Sequence, residues 1–282
     1  MSGITAAAVK SLRDRTGAGM MDCKRALQES GGDEEAAIDL LRKWGAAKAA
    51  RRAERAMTEG TVALAVAGDS RGMVAVSSET DFVARNAEFQ DFASRLAGAV
   101  ARSDLPDGDV WSGEDLLARP DFSEFAAEIQ TLRAKIGENL EVGSAVRVTP
   151  SAHATIGSYL HFGGRIGVLV EVAGGNGDTD DLSRDIAMHI AATNPMGVSP
   201  DDIPAADVER ERSVLVERAK SEGKPEHIAE KIVEGRMRKY FQENTLLMQG
   251  FVKDPDTTIQ ALIESSGADL RVTRFVRFAI GG

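Results

Sequence analysis

Two stretches of the chain repeat one pattern. GTVALAVAGDSRGMVAVSS, residues 60–78, and ATIGSYLHFGGRIGVLVEV, residues 154–172, each hold an apolar, partly alternating run, a glycine-bearing break and a second apolar run. Alternation with period two around a short glycine turn is the pattern of a β-hairpin, because successive strand side chains face opposite sides. The first hairpin pairs Thr61 to Ala67 with Met73 to Val76; the second pairs Thr155 to Phe162 with Ile166 to Val172. Helical periodicity follows each. Phe89, Phe92, Leu96 and Val100 share one face of a helix over Asn86 to Ala101, and Leu182, Ile186 and Ile190 share one over Asp181 to Ala192. Each unit closes on a further strand, Leu140 to Val148 in the first and Leu270 to Ile280 in the second. One unit used twice, with sheets preceding helices, predicts an α+β fold rather than a doubly wound sheet.

Other segments sit around these units. Pro106, Gly108 and Pro120 mark a weakly structured stretch before a helix over Phe122 to Ile136, and a short helix over Thr258 to Glu264 precedes the last strand. Upstream, residues 4 to 45 carry three helical signals separated by glycine turns. Thr5 can cap the first, with Val9 and Leu12 inward; Gly17-Ala18-Gly19 ends it. The second presents Cys23, Ala26 and Leu27, and Asp33 can cap a third that turns Ile38, Leu41 and Trp44 inward. Helices this short bury little singly, so they should form a bundle. Met20-Met21 after the turn either complete its core or form an exposed apolar knob. From Pro200 to Asn244, Val208 and Leu215 on one arm and Ile228, Ile232 and Phe241 on the other read as an antiparallel helical hairpin turning at 221–225. The expected division is a bundle at 1–54, one core unit at 55–140, a second at 141–199 and 245–282, and an inserted hairpin at 200–244.

Composition narrows the function classes. The net charge of −10 and pI near 5.1 repel phosphate backbones, so no direct nucleic-acid partner is expected. The basic run Lys48 to Arg55 reads as the continuation of a helix. One cysteine, Cys23, excludes an internal disulfide and paired-cysteine zinc sites. The apolar runs are too short for a bilayer, and the charged amphipathic N-terminus is not a signal peptide, so a cytoplasmic protein with no membrane partner is expected.

Catalytic patterns are lacking. His153, His161, His189 and His227 stand apart without ligand spacing, and His189 reads as a satisfied core imidazole. Gly223-Lys224 precedes Pro225 rather than Ser or Thr, so it is no P-loop, and no nucleophile elbow or dinucleotide fingerprint is present. The notable stretch is SSETDFVARN, residues 77–86, which sets Phe82 on an abrupt bend in a chain only 5% aromatic. Phe82 either folds under the next helix as a lid or, since that helix already has a full apolar stripe, projects outward for a partner.

Leu12-Arg13-Asp14-Arg15-Thr16-Gly17-Ala18-Gly19-Met20-Met21-Asp22-Cys23-Lys24 and Thr80-Asp81-Phe82-Val83-Ala84-Arg85-Asn86 resemble, in order and spacing, the two signature segments of the bacterial elongation factor Ts family. Ile136-Gly137-Glu138-Asn139, Gly157-Ser158-Tyr159, Arg165 to Leu169 and Glu234-Gly235-Arg236-Met237 are similar to the family as well, so the likeness spans essentially the whole chain. The resemblance implies a ubiquitin-associated-like N-terminal three-helix bundle, a core of two similar α+β subdomains with antiparallel sheets, and an inserted antiparallel helical hairpin. It also implies guanine-nucleotide exchange on elongation factor Tu: displacement of Mg2+, release of GDP and entry of GTP, without bond-making catalysis or a cofactor. Residue by residue, Thr80, Asp81, Phe82 and Val83 would form the segment that dislodges Mg2+, with Phe82 as the wedge. Arg13, Met20 and Met21 would hold another helix of the GTPase domain, which moves the reading of the methionines towards contact. His161 would touch the GTPase's third domain. A homodimer or a 2:2 complex is compatible with the resemblance. Ser77-Ser78 departs from the Asn-Cys often found there, with an effect expected on packing alone. Some relatives carry a further helical module after the last strand, and contacts from it are not expected here.

Overall fold

A computed structural model describes residues 4–52, 56–161, 163–174, 179–221, 226–267 and 269–281, with the side chains of 45–52 and 226 set aside. The N-terminal helices are α1 (Ala6–Thr16), α2 (Met20–Glu29) and α3 (Glu34–Arg52). The Thr5 hydroxyl accepts the Ala8 amide at 3.2 Å, Gly17 ends α1 in the left-handed region at φ 67, and the Asp33 carboxylate accepts the Ala36 amide at 3.0 Å. Val9, Leu12, Cys23, Ala26, Leu27 and Ala37 form the bundle core, with Ile38, Leu41 and Trp44 packed against it. The basic run continues α3 as far as Arg52; 53–55 lie outside the described residues.

The first core unit comprises β1 (Glu59–Ala67), β2 (Ser70–Ser78), α4 (Asp81–Ala84), α5 (Ala87–Arg102), β3 (Val110–Ser112), α6 (Gly113–Ala118), α7 (Ser123–Ile136) and β4 (Leu140–Val148). The second comprises β5 (Ala154–Leu160), β6 (Ile166–Ala173), α8 (Asp180–Thr193), the paired helices α9 (Ala205–Ser221) and α10 (Glu226–Asn244), a small hairpin of β7 (Gly250–Phe251) and β8 (Asp254–Thr258), α11 (Ile259–Ser266) and β9 (Arg271–Ala279). Their sheets run β1-β2-β4-β3 and β5-β6-β9, antiparallel throughout. Both ladders break register once. The β2–β4 ladder shifts register at Ala75/Val76, skipping Gly143, and the β6–β9 ladder shifts at Glu171/Val172, skipping Thr273. Each copy thus carries one bulge in its closing strand, though not at matching positions, and a bulge bends the strand that holds it.

The two sheets stack face to face, with a helical layer outside each. On β2, Val74 and Val76 face α5, while Met73 and Ala75 face the second sheet; on β6, Val168, Val170 and Val172 face α8, while Leu169 faces the first sheet. Both faces of these strands are covered, which is why their sequences read as apolar runs. Polar ties reinforce the stack. Arg274 on β9 donates to Glu171 on β6 at 2.6 Å and pairs with Asp107 of the first unit at 2.7 Å. Glu171 is buried and accepts the Ser151 amide at 3.0 Å and its hydroxyl.

Four expectations need correction. The boundary drawn between 140 and 141 cuts through the strand expected to close the first unit; β4 pairs with β2 along Leu140–Val148, so that unit runs to 148. The stretch around Pro106 to Pro120 is ordered: it forms β3 and α6, because the Ser112 hydroxyl caps at Asp115 and Leu116 is buried. In the helical hairpin, the inward residues of α10 are Val233 and Met237, flanked by Ala229 and Phe241, while Ile228 is exposed. Ala229, Val233, Met237 and Phe241 recur every four residues, as Ile228 and Ile232 do, but lie one position further along and so about 100° round the helix. The β7–β8 hairpin is a further element, absent from the sequence reading. Among the described residues, no helix is long and apolar enough to cross a membrane.

Candidate protein-binding site

The bend after β2 is built from short-range signals. Ser78 is buried, and its hydroxyl donates to the Thr80 carbonyl at 3.1 Å. Thr80 is extended (φ −128, ψ 156) and caps α4, its hydroxyl accepting the Val83 amide at 3.4 Å. The same hydroxyl donates to Glu138 Oε1 at 2.8 Å, and the Thr80 amide donates to Glu138 Oε2 at 3.1 Å. In the single turn that follows, Val83 and Ala84 point inward and Phe82 points out, 83% exposed. Helical spacing requires this, because a residue one before Val83 lies about 100° around the axis. Phe89, Phe92, Leu96 and Val100 are fully buried under α5, so the core is full without Phe82. Of the two readings, the geometry takes the outward one.

Asp81 pairs with Arg85 at 3.2 Å on the surface, an exposed pair that contributes little to stability. Arg85 also neighbours Glu59 at the start of β1. There the Arg165 guanidinium bonds the Glu59 carboxylate and holds its pKa below the usual carboxylate value, with a smaller influence from Arg85. Arg165 belongs to the β5–β6 turn that carries His161, and the Gly164 carbonyl of that turn accepts the Val62 amide at 2.6 Å. The Phe82 bend and the His161 turn therefore share one end of the core, since Glu59 stands opposite Ser78 in the β1–β2 ladder. His161 is exposed and lies 3.3 Å from the Tyr159 hydroxyl.

Arg13, Met20 and Met21 lie on the bundle, flanking the turn between α1 and α2. Arg13 is exposed, Met20 is 55% exposed and Met21 73% exposed. The knob reading of the methionines thus holds over the core reading, since Cys23, Ala26 and Leu27 already fill the interior. His189 is wholly buried. Its Nδ1 accepts the Val252 amide at 3.3 Å, so Nε2 carries the proton and donates to Gln249 Oε1 at 2.9 Å. Burial pushes its pKa down against the opposing Gln249 bond, which marks a neutral structural imidazole. Among the described residues, no group of three or more His, Cys, Asp or Glu side chains is arranged to hold a metal. The sequence reading omitted Glu138 from its candidates; the available signal was a carboxylate directly after the helix-ending Gly137.

A family model described as Elongation factor TS matches residues 79–282. Curated relatives carrying the name Elongation factor Ts include proteins of Halorhodospira halophila, 46% identical, and Alkalilimnicola ehrlichii, 44% identical, each across 99% of this chain and 92% of the relative. That of Idiomarina loihiensis is 46% identical across 99% of this chain and 91% of its own.

Proposed function

The chain belongs to the elongation factor Ts family and thus serves translation elongation, and from that premise we propose that it is the guanine-nucleotide exchange factor for elongation factor Tu. The observation that carries the reading is Phe82, a rigid ring left in water on a bend whose backbone is fixed on both sides. A GTPase of the P-loop class holds GDP through backbone amides and a lysine around the phosphates, with Mg2+ bridging them. Mg2+ demands near-octahedral geometry and retains waters that the protein orients. A small displacement of that shell costs much of the nucleotide's affinity. Phe82 enters between two helices of the GTPase domain, Thr80 and Val83 set its direction, and Asp81 exchanges its weak surface pair with Arg85 for a partner contact.

The rest of the chain provides grip. Arg13, Met20 and Met21 on the bundle hold a second helix of the same domain. His161, at the same end of the core as Phe82, contacts the third domain. The division of labour follows the division of the chain: bundle at 1–54, two core units meeting after residue 148, and the hairpin at 200–244 standing apart.

The test is release of mant-GDP from elongation factor Tu with and without the protein, across a range of Mg2+ concentrations. Acceleration that shrinks as Mg2+ is raised supports exchange by displacement of the ion. Co-elution of the two proteins without acceleration would reduce the chain to a scaffold.

A further inference from the structure

α4 has four residues, too few to hold its own orientation, since an isolated turn of helix is unfavourable. Something beyond the local chain must aim it. The strongest such contact comes from Glu138, 58 residues away, whose carboxylate takes both polar hydrogens of Thr80, the amide at 3.1 Å and the hydroxyl at 2.8 Å. The Thr80 carbonyl is held as well, by the Ser78 hydroxyl at 3.1 Å and the Ala84 amide at 3.2 Å. Glu138 is itself placed by a fixed backbone. Gly137 ends α7 in the left-handed region at φ 85, its amide bonded to the Arg133 carbonyl at 3.0 Å. The tie is reciprocal: the Asn139 amide donates to Glu79 Oε1 at 2.7 Å. Two carboxylates cross between the loops, each holding the neighbour of the other, at part-buried positions.

From this geometry we infer that Glu138 is a positioning residue for exchange, acting solely through the direction it gives Phe82. The inference rests on the exchange reading above. A ring driven between another protein's helices meets a reaction force, and that force falls on the Thr80 cap. Charge-assisted bonds are about twice as strong as neutral ones, so a carboxylate accepting two of them resists the load better than an amide could. Gln at this position keeps the volume but supplies one acceptor atom where two are used.

The experiment compares the unmodified protein, Glu138→Ala, Phe82→Ala and the double variant in stopped-flow release of mant-GDP from elongation factor Tu, separating the maximal rate from the concentration giving half of it. Glu138→Ala should lower the maximal rate about tenfold, the scale of one lost bond to a charged group, with a smaller change in half-saturation. Glu138→Gln should recover part of that loss. The double variant should be no slower than Phe82→Ala alone, because contributions that pass through one residue do not add. In the free protein, the Thr80 and Val83 amides should exchange with solvent at least about tenfold faster in Glu138→Ala, with the melting transition retained. Should Ala impair folding, Gln replaces it in every comparison. A Glu138 variant matching the unmodified protein while Phe82→Ala is impaired would overturn the positioning role and leave the exchange reading standing; so would a double variant showing the product of the two losses. No acceleration by the unmodified protein would instead remove the exchange reading itself.

Discussion

Phe82 and Glu171 are both placed against the usual preference of their side chains, and each placement has a reason that can be tested. Burying a Phe typically contributes about 1.5–3 kcal/mol, which the fold forgoes at Phe82. Periodicity alone left two readings for that ring. The choice depended on whether Phe89, Phe92, Leu96 and Val100 close the core without it, and packing rather than pattern decides that. Glu171 is the converse, a carboxylate at 3% exposure. Burial pushes its pKa up, but the Ser151 hydroxyl and amide and the Arg274 guanidinium outweigh burial and hold it below the ordinary 4.5. A depressed folded-state pKa stabilises the fold above the unfolded value, and that stabilisation is lost as pH falls from about 4.5 through the folded value. Glu171→Gln should therefore cost about 1–3 kcal/mol at neutral pH, with the gap to the unmodified protein closing below pH 4.5. Urea midpoints measured across that range check this; a gap independent of pH would contradict it.

At the scale of elements, close helix–sheet approach depends on glycine in both copies of the repeat. A Cβ at Gly72 would lie 2.2 Å from the Ala97 carbonyl oxygen on α5, and one at Gly157 would lie 2.5 Å from the Ser183 backbone on α8. Both obstacles are backbone, so the helix itself must move. Gly72→Ala should destabilise by about 1–3 kcal/mol, the usual cost of overpacking, read from the shift of the denaturation midpoint. Hairpins, capped helices and closing strands were legible because alternation, caps and glycine breaks are local signals. β3 and α6 were not, since the flanking Pro106 and Pro120 and their own polar residues mimic a loop and only the packing of Leu116 and Trp111 against the core orders them. The inward face of α10 was misread for a related reason. Several apolar residues lie around that helix, and which of them face α9 depends on how the two arms meet.

At the scale of the molecule, two stacked sheets with helices outside give a stiff body, with the Phe82 bend and the His161 turn at one end. The stacking was not readable from sequence. Continuous apolar strands announce burial on both faces without saying what covers each. The crossing carboxylates of Glu79 and Glu138 were equally hidden, because they join loops 60 and 58 residues apart. A stiff body suits an exchanger, since force applied at a wedge is useful only if the wedge does not yield. Linkage sets a further expectation: whatever ratio the protein takes from GDP affinity, GDP must take from the affinity of the protein for its partner. Titrations of the complex with and without saturating GDP should return the same ratio as GDP binding with and without the protein, and unequal ratios would rule out a simple ternary intermediate.

The central claim is that an outward ring on a fixed bend forces the nucleotide out. It is tested most directly by stopped-flow release of mant-GDP from elongation factor Tu at saturating protein, comparing the unmodified chain with Phe82→Ala. Because Phe82 packs against nothing in its own core, the variant should fold within about 0.5 kcal/mol of the original. Its release rate should nevertheless fall about thirtyfold, as expected for the loss of one aromatic anchor of about 2 kcal/mol. Equal release rates from two equally folded proteins would contradict the account.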